Sequence, residues 1–427
     1  MTASLRRSLV VGLLWMLMTS FGPVAHAQDV MHAEQLDGQS HPIFEKGDVV
    51  AVIGNTFAVR MQRFPYFETL VSTQLPRHNL RFRYLGRSGD EVAFRPRPLN
   101  FGDLHTHLRD VEADVILACF GMNEAFEGLD HLDTFRSNLA GFVDSLRTTA
   151  YNGEHAPSVV LVSPIAHEDH ARIPADAETH NRSLDAYSEA LSDYARQHDR
   201  VQYVDLYHPT KEMMASSPDE QLTINEIHLS DYGYWVTSPV LGEAFLPRSG
   251  AQPRLVLDAE REEAVGEETP IAHVIPGGPG MAFRVSEIPR LRPPSPKEDE
   301  SSSTAASVDP VVEVRNLSAG QHVLELEGEP VARGDSAAWA DGIPVDVHRK
   351  ALEHLHEAVT RKNQLWFYRY RAVNGEYIYG RRKEPFGVDN FPGEFRRLEA
   401  MMEATEHRIW GQTRDLLYLS WRIRPAS

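Results

Sequence analysis

Short apolar segments alternate with longer amphipathic segments between Gly47 and Leu246, and this alternation is the feature that most constrains the fold. The short segments are rich in Val, Ile and Leu, which is typical of strands buried in a parallel sheet. The longer segments Leu132–Ala150 and Leu184–Gln197 carry apolar residues at helical spacing. Such alternation predicts an α/β domain with a parallel sheet, whose ligand site lies at the carboxyl ends of the strands. The predicted strands are Val49–Ile53, Leu80–Leu85, Asp114–Cys119, Ser158–Val162 and Val201–Asp205.

The sequence changes in character where this alternation ends. Arg254–Leu257 and Met281–Val285 have the pattern of strands, and the loop between them is rich in acidic residues, Gly and Pro. We therefore predict an α/β domain over residues 44–247 and a small β-rich extension over residues 248–290. Residues 291–309 are rich in Pro, Ser and acidic residues and have no hydrophobic period, which predicts a disordered linker.

Residues 310–427 are predicted to form a C-terminal module that contains a β-hairpin and helices. Val311–Arg315 and His322–Leu326 have the composition of strands and flank the turn sequence Ser318-Ala319-Gly320. Two later segments have apolar stripes or charge patterns that predict helices. These segments run from Val345 to about Tyr370 and from Phe395 to about Arg408.

The N-terminal segment has the three parts of a secretory signal peptide. Arg6 and Arg7 are basic, Leu9 to Met18 is apolar but short for a membrane span, and Ala25-His26-Ala27 is a small-x-small cleavage site. We predict a signal peptide over residues 1–27 and export to the periplasm or the extracellular space. The alternative is an uncleaved membrane anchor. No other stretch is apolar and long enough to span a membrane, so no membrane insertion is predicted after cleavage.

The overall charge excludes some classes of partner. The 427-residue chain has 61 acidic and 43 basic residues, a formal net charge of −18. Such a field repels nucleic acid and anionic lipid, so neither is a predicted partner. Cys119 is the single cysteine, which excludes an intrachain disulfide and predicts a buried thiol within an apolar run. The oligomeric state does not follow from the sequence.

Four short motifs follow predicted strands or lie near the end of the α/β segment. They are Gly54-Asn55-Thr56, Ser88-Gly89-Asp90, Gly121-Met122-Asn123-Glu124 and Asn225-Glu226-Ile227-His228. Their order and spacing resemble the four blocks of the SGNH (GDSL-type) hydrolase superfamily over about half of the chain. The resemblance implies a flavodoxin-like, three-layer SGNH hydrolase domain.

The resemblance also assigns roles to these residues. Thr56 takes the position of the nucleophile, and His228 that of the general base and acid. The oxyanion hole would consist of the Thr56 and Gly89 backbone N–H groups and the Asn123 side-chain amide. Asn225 occupies the position of the acidic partner of the histidine. Asn55, Glu124 and His167 are candidates for substrate contact, and neither a metal nor an organic cofactor is required.

Two positions depart from the family pattern. The nucleophile position holds Thr56 instead of Ser, and the extra methyl group restricts χ1. Asn225 replaces Asp, and an amide cannot stabilise an imidazolium as a carboxylate does; in serine proteases the Asp-to-Asn change costs about 10⁴ in rate. Glu226 or Asp231 could supply the missing carboxylate, or a Thr–His dyad with a backbone carbonyl could suffice. Two alternatives are left open. The first is a secreted ester hydrolase which, by analogy with exported relatives, removes acyl groups from polysaccharides or small molecules. The second is an inactive scaffold that binds carbohydrate or a cell-envelope partner.

Several other motifs have simpler explanations. Gly334-Asp335-Ser336 reads as a GDS nucleophile but follows His228, which is the wrong order. His105-Thr106-His107 and His167-Glu168-Asp169-His170 lack zinc-like spacing, which favours surface loops and predicts no metal site. The segment Arg361–Arg371 resembles part of a secreted bacterial SGNH subfamily; its aromatic and basic residues suit either stacking on a flat ligand or packing against the hydrolase domain.

Overall fold

A five-stranded parallel sheet forms the centre of the α/β domain in the computed structural model, with strand order β2-β1-β3-β4-β5. This sheet confirms the predicted parallel α/β fold, and every predicted strand is present within a residue or two of its bounds. The strands are β1 (Val49–Gly54), β2 (Arg81–Tyr84), β3 (Val115–Cys119), β4 (Ser158–Val162) and β5 (Val201–Val204). The structure describes residues 43–97, 101–170, 172–246, 254–265, 271–275, 280–285, 295–297, 310–345, 349–371, 390–416 and 419–426.

Helices cover both faces of this sheet. They are α1 (Thr56–Met61), α2 (Tyr66–Gln74), α3 (Leu104–Asp110), α4 (Leu132–Arg147), α5 (Ala177–Arg196), α6 (Tyr207–Ser216) and α7 (Asp231–Glu243), and two short 3₁₀ segments (Glu124–Glu127 and Leu129–His131) follow β3. Helix α5 begins seven residues before the predicted start. Asp176 caps it by accepting a hydrogen bond from Thr179 N at 2.8 Å, and its first two turns bury polar side chains that a hydrophobic pattern does not reveal.

The turn at the end of β1 requires glycine. Gly54 has φ of +125°, and a Cβ at this position would lie 2.1 Å from the Cys119 carbonyl oxygen on neighbouring β3. Only glycine permits both the backbone conformation and this close approach. The chain can therefore leave β1 in the middle of the sheet and enter α1 directly, which places Thr56 at the carboxyl end of the strands.

Two further sheets form one β unit from both sides of the predicted linker. One has the order β13-β10-β6-β7 and the other β12-β11-β14-β9-β8. Strands of residues 248–290 pair with strands of residues 310–427, so the two predicted segments share their sheets and a common apolar core. The strands are β6 (Arg254–Asp258), β7 (Glu263–Ala264), β8 (Ile271–Ile275), β9 (Met281–Val285), β10 (Val311–Arg315), β11 (Gln321–Leu326), β12 (Glu329–Asp335), β13 (Ile343–Pro344) and β14 (Trp421–Pro425).

The predicted hairpin between β10 and β11 is wrong, although both strands exist. Strand β10 pairs with β6 and β13, whereas β11 pairs with β12 and β14 in the other sheet. The hairpin partner of β11 is β12, across a tight turn at Glu327 and Gly328, which have φ of +51° and +86°. Two consecutive residues with positive φ match the twist of an antiparallel ribbon, which the predicted turn at residues 318–320 does not provide.

Three helices lie among the described residues of the C-terminal part: α8 (Ser336–Asp341), α9 (Arg349–Tyr370) and α10 (Asn390–Asp415). Helices α9 and α10 pack against each other and against α2, and α9 also packs against the edge strand β2. The predicted signal peptide lies outside the described residues, as does the linker apart from residues 295–297. No helix of the described residues is long and apolar enough to cross a bilayer.

Candidate active site

Thr56 is the first residue of α1, just after the end of the interior strand β1. Asn55 caps this helix by accepting a hydrogen bond from Phe57 N at 3.0 Å. Because Asn55 performs the capping, the Thr56 hydroxyl is not engaged at the helix N-terminus. Thr56 is half-buried and lines a pocket at the carboxyl edge of the sheet. Its position suits a nucleophile, and the backbone N–H of a first-turn residue has no partner within the helix.

His228 lines the same pocket and is oriented by Asn225. The two side chains meet at 2.9 Å between His228 Nδ1 and Asn225 Oδ1. An amide oxygen can only accept, so Nδ1 carries the proton in the neutral ring and Nε2 has a free lone pair. Burial and the neighbouring Arg60 guanidinium both lower the pKa of His228 below its usual range. His228 is therefore a neutral base near pH 7.

Arg60 is a site residue that the sequence did not reveal. Its Nε and Nη2 atoms donate to the Leu229 carbonyl oxygen at 3.2 and 3.0 Å. Arg60 lies one helical turn after Thr56, so α1 carries both the candidate nucleophile and the group that holds the residue next to His228. Residues four apart lie on the same face of a helix, which explains why Thr56 and Arg60 both face the site.

Neither predicted alternative replaces the missing carboxylate. The buried Glu226 accepts from the backbone N–H groups of His170, Arg172 and Ile173 at 2.9, 2.6 and 2.8 Å. Burial alone would raise the pKa of Glu226, but these three amides outweigh it and the pKa is lowered. Asp231 accepts from the Tyr66 hydroxyl at 2.7 Å. Within the described part of the chain, His228 donates no hydrogen bond to either carboxylate.

Glu226 and Glu168 lock two loops together. Glu226 lies on the loop between α6 and α7 that carries His228, here called the histidine loop, and its carboxylate holds the loop after β4. In return, Glu168 on the β4 loop accepts from Leu222 N and Thr223 N, both at 2.9 Å. Glu168 N also donates to the Glu226 carbonyl oxygen at 2.9 Å. Glu226 has a φ of +73°, an uncommon conformation for a residue other than glycine, so these contacts hold a strained backbone two residues before His228.

The predicted oxyanion donors lie on the loops after β2 and β3. Asn123 lines the pocket, and its Nδ2 donates to the Asp90 carbonyl oxygen at 3.3 Å. That contact ties the Asn123 loop to Asp90, the residue after Gly89. Gly89 itself is exposed and has a φ of +80°. Within the described residues, the Gly89 backbone N–H has no intramolecular partner. Gly89 and Asn123 thus lie on two loops that this hydrogen bond joins, and their role as oxyanion donors stays a prediction.

The pocket itself brings Thr56, Asn123 and His228 together. Asn55 also lines it, so this candidate for substrate contact is accessible from the site. The rest of the lining is mainly apolar, apart from Ser163, whose Oγ accepts from Leu206 N and Tyr207 N at the start of α6. The remaining lining residues are Phe57, Cys119, Phe120, Met122, Pro164, Ile165 and Ile227.

The other two candidates for substrate contact lie outside the pocket lining. Glu124 is buried, and its carboxylate accepts from Val92 N and Gly121 N, both at 3.0 Å. Burial raises the pKa of Glu124 although these amides oppose it. His167 is only 3% exposed, and its Nδ1 lies 3.1 Å from that of His180. These positions favour loop bracing for Glu124 and His167 and do not support the predicted substrate contact.

The remaining motifs of the sequence have structural roles. Asp335 caps α8 by accepting from Ala338 N at 2.8 Å, so Gly334-Asp335-Ser336 is a strand-to-helix turn of the β unit. His105 Nδ1 lies 2.6 Å from the Tyr151 hydroxyl, and His107 packs against Tyr370. Among the described residues, no group of three or more His, Cys, Asp or Glu side chains could hold a metal ion.

Comparison with known proteins identifies relatives of this architecture. Residues 58–236 match the GDSL-like lipase/acylhydrolase family, a span that includes Gly89, Asn123, Asn225 and His228. No curated protein sequence matches the chain. The match confirms the resemblance that the four motifs indicated.

Solved structures show how far the fold likeness extends. A gut microbial diltiazem-metabolizing enzyme is 15% identical and aligns over 91% of this chain and 100% of its own, with a TM-score of 0.68. That alignment shows a shared fold that extends well beyond the parallel sheet. An acetyl xylan esterase is 17% identical over 46% of this chain and 100% of its own, with a TM-score of 0.35. The C-terminal catalytic domain of Streptococcus pneumoniae peptidoglycan O-acetyltransferase A is 12% identical over 46% of this chain and 92% of its own, with a TM-score of 0.28.

Proposed function

We propose, from the premise that residues 58–236 form a GDSL-like lipase/acylhydrolase domain, that this protein is an ester hydrolase with Thr56 as its nucleophile. The observation that carries the proposal is the shared pocket of Thr56, Asn123 and His228. The hydrogen bond from His228 Nδ1 to Asn225 leaves Nε2 available to take a proton. A hydroxyl, a base and an amide donor around one cavity are the minimum set for acyl transfer.

The chemistry follows from these groups. His228 Nε2 accepts the proton of the Thr56 hydroxyl as Oγ1 attacks the ester carbonyl carbon. The resulting oxyanion accepts hydrogen bonds from Asn123 Nδ2 and from the Thr56 and Gly89 N–H groups. His228 then gives its proton to the leaving alcohol, and an acyl-threonine remains. Water, deprotonated by the same imidazole, hydrolyses this intermediate and regenerates the hydroxyl.

The substrate class in this proposal is a polysaccharide or small-molecule O-acyl ester. The net charge of −18 disfavours strongly anionic substrates at long range. The cavity is lined mainly by apolar groups with a few convergent polar atoms, which suits a short acyl chain held beside a hydroxyl nucleophile. An exported location, directed by residues 1–27, belongs to the same proposal, and N-terminal sequencing of the protein secreted from a bacterial host would test it.

Hydrolysis of p-nitrophenyl acetate and of acetylated xylan by the wild type, Thr56→Ala, Thr56→Ser and His228→Ala tests the proposal. We expect wild-type turnover that falls at least about 10³-fold in both alanine variants, because the nucleophile and the base act as a unit. Thr56→Ser should be faster than the wild type, since serine lacks the methyl group that restricts χ1. Turnover that persists in Thr56→Ala would exclude Thr56 as the nucleophile.

Asn225 favours a second candidate function, a scaffold with the SGNH fold that binds ligand without turnover. Burial and Arg60 disfavour the imidazolium that forms during acyl transfer, and the amide of Asn225 supplies no negative charge to offset them. Covalent labelling by a fluorophosphonate separates the two functions. Labelling at Thr56 supports the hydrolase, whereas no labelling of the wild type together with labelling of Thr56→Ser supports a binding scaffold with an intact crevice.

A further inference from the structure

One face of helix α9 lies along the edge strand β2 and donates hydrogen bonds to its backbone carbonyls. Helix α10 adds one donor at the start of the strand. The pairs are Trp410 Nε1 to Leu80 O at 3.2 Å, Lys362 Nζ to Phe82 O at 3.2 Å and Trp366 Nε1 to Tyr84 O at 2.8 Å. These are the carbonyls of every second residue, the set that points away from β1. The C-terminal helices therefore cover an edge that would otherwise expose unpaired backbone groups.

The spacing of the donors explains why a helix can serve this edge. Lys362 and Trp366 are four residues apart, which is an advance of about 6 Å along a helix. Phe82 and Tyr84 are two residues apart, which is about 6.6 Å along a strand. The spacing of donors on one face of the helix thus matches the spacing of the outward carbonyls on the strand. The sequence left open whether the aromatic residues of this segment stack on a ligand or pack against the hydrolase domain. Trp366 is buried against β2, so it packs α9 onto that domain.

The same face continues beyond the end of β2 toward the Gly89 loop. The Tyr370 hydroxyl donates to the Leu85 carbonyl oxygen at 2.9 Å, and Arg371 Nη2 donates to the Gly86 carbonyl oxygen at 2.6 Å. Tyr370 is buried, and burial raises the pKa of its hydroxyl, which therefore stays a donor. These two contacts go to the segment that leads into Gly89, and the strand itself does not need them for pairing.

The opposite side of this segment contacts the turn of the candidate nucleophile. Arg87 N donates to the Gly54 carbonyl oxygen at 2.9 Å. A Cβ added to Gly86 would lie 2.8 Å from Ala58 Cβ and 2.9 Å from the Gly54 carbonyl oxygen. Residues 85–87 are consequently held between the Thr56 turn on one side and Tyr370 and Arg371 on the other.

A second set of contacts links Tyr370 to Arg87 and Phe101, on the same stretch of chain as Gly89. The Arg87 guanidinium lies 4.1 Å from the Phe101 ring centroid and 5.8 Å from that of Tyr370. Arg97 binds both carboxylate oxygens of Asp90, the residue after Gly89, at 2.7 Å. Burial opposes the charge on Arg97, but the hydrogen bonds and the charge of Asp90 outweigh it and raise the pKa of Arg97. Tyr370 and Arg371 therefore hold the segment before Gly89, and Arg97 holds Asp90 after it.

We propose that Tyr370 and Arg371 are positioning residues that fix the backbone of the Gly89 loop, so that the Gly89 N–H is held ready as an oxyanion donor. This inference rests on the proposed function and assigns a role to the C-terminal helix: α9 completes the hydrolase site from outside the 58–236 segment. If the Gly89 N–H is displaced, it stabilises the oxyanion less, whereas ground-state binding is little changed. Loss of either side chain should therefore lower kcat and leave KM unchanged.

Two variants test this role, each with a matched control on α9. Tyr370→Phe removes one hydroxyl and Arg371→Met removes one guanidinium; Tyr368→Phe and Arg361→Met make the same changes at exposed positions. We expect kcat for p-nitrophenyl acetate to fall about tenfold in each test variant with KM within about twofold, since a small misplacement of a catalytic group has effects of this size. By hydrogen–deuterium exchange, the amides of residues 87–92 should exchange at least about threefold faster in the test variants alone.

The exchange measurement keeps the inference separate from the proposed function. If the wild type hydrolyses no ester, faster exchange at residues 87–92 still supports the positioning role, and unchanged exchange overturns it. A lowered melting temperature with unchanged kcat and unchanged exchange would show that α9 only stabilises the fold. Should Tyr370→Phe fail to fold, Arg371→Met decides, because its side chain is only half-buried.

Discussion

His228 and Asn225 meet at 2.9 Å through Nδ1 and Oδ1, so an amide stands where a carboxylate would stabilise the imidazolium. The contact fixes the ring and its tautomer, and Nε2 is left as the base. It supplies no negative charge, and the Arg60 guanidinium adds a positive one nearby. The site is therefore oriented for proton abstraction but disfavours the protonated intermediate that abstraction produces.

Replacing Asn225 with aspartate should raise activity and the pKa of His228. A carboxylate at Nδ1 stabilises the imidazolium, so we expect kcat/KM for p-nitrophenyl acetate to rise by about tenfold or more. In the wild type the lowered pKa of His228 places the acidic limb of the kcat/KM profile below about pH 6.5, and Asn225→Asp should move that limb to higher pH. Asn138→Asp on α4 is the control for the added charge. A lower kcat/KM in Asn225→Asp at every pH would contradict the expectation.

Removing the charge of Glu226 should impair the histidine loop without removing a reacting group. Glu226→Gln exchanges one acceptor oxygen for an N–H₂ group that faces backbone donors, so at least one of its three amide hydrogen bonds is lost. We expect kcat to fall about tenfold, KM to change little, and residues 222–228 to exchange their amides faster. Glu178→Gln, on the exposed first turn of α5, is the control. Unchanged exchange in Glu226→Gln would rule out this lock.

The sequence predicted the parallel sheet well because each of its strands is a local apolar run. Thr56 and Asn123 follow parallel strands, which end at one edge of the sheet, so the sequence also predicted that they would lie together; His228 was added to them by the resemblance to SGNH hydrolases. The β unit was harder, since β10 pairs with β6 across more than 50 residues and β14 inserts between β9 and β11. No local pattern encodes such partners.

The functions of individual polar side chains were the least predictable part of the site. Glu226 was a candidate acid, yet its carboxylate accepts hydrogen bonds from the loop after β4. His167 was a candidate for substrate contact, yet its ring is buried beside His180. Both outcomes depend on loop conformations that are determined by contacts between distant segments, and residue spacing does not report those contacts.

The ion pair between Lys362 and Glu68 should contribute strongly to stability. Both side chains are buried, their Nζ and Oε1 atoms are 2.6 Å apart, and Tyr84 and Asn363 also bind the carboxylate. Lys362→Met leaves the Glu68 charge buried without its cation, which should lower the free energy of unfolding by about 3–5 kcal/mol. Urea denaturation measures this change.

The double variant Lys362→Met/Glu68→Gln should be less destabilised than the sum of the single variants, because removing both charges removes the desolvation penalty. Arg369→Gln is the control on the same helix: its ion pair with Glu399 is partly exposed, and its loss should cost less than about 1 kcal/mol. A smaller effect for Lys362→Met than for Arg369→Gln would refute this assignment.

Two histidines should make the fold less stable in mild acid. Burial lowers the pKa of His356 to about 4; for His180, burial and then the neighbouring His167 lower it to about 4. In the unfolded chain a histidine has a pKa of about 6.5, so between these values the unfolded state binds more protons than the folded state. The stability these neutral side chains provide is complete above about pH 6.5 and is lost as the pH falls toward 4. Each should account for on the order of 1–2 kcal/mol between pH 7.5 and pH 5.

Urea denaturation of the wild type and of His356→Asn at pH 7.5 and pH 5 checks this prediction. Asparagine can replace the contact between His356 Nδ1 and the Thr69 hydroxyl, which are 3.0 Å apart, but it cannot take up a proton. The loss of stability between the two pH values should therefore be smaller in His356→Asn than in the wild type. His354→Asn, at an exposed position two residues earlier on α9, should show the wild-type loss. An equal loss in His356→Asn and in the wild type would mean that other groups cause the acid sensitivity.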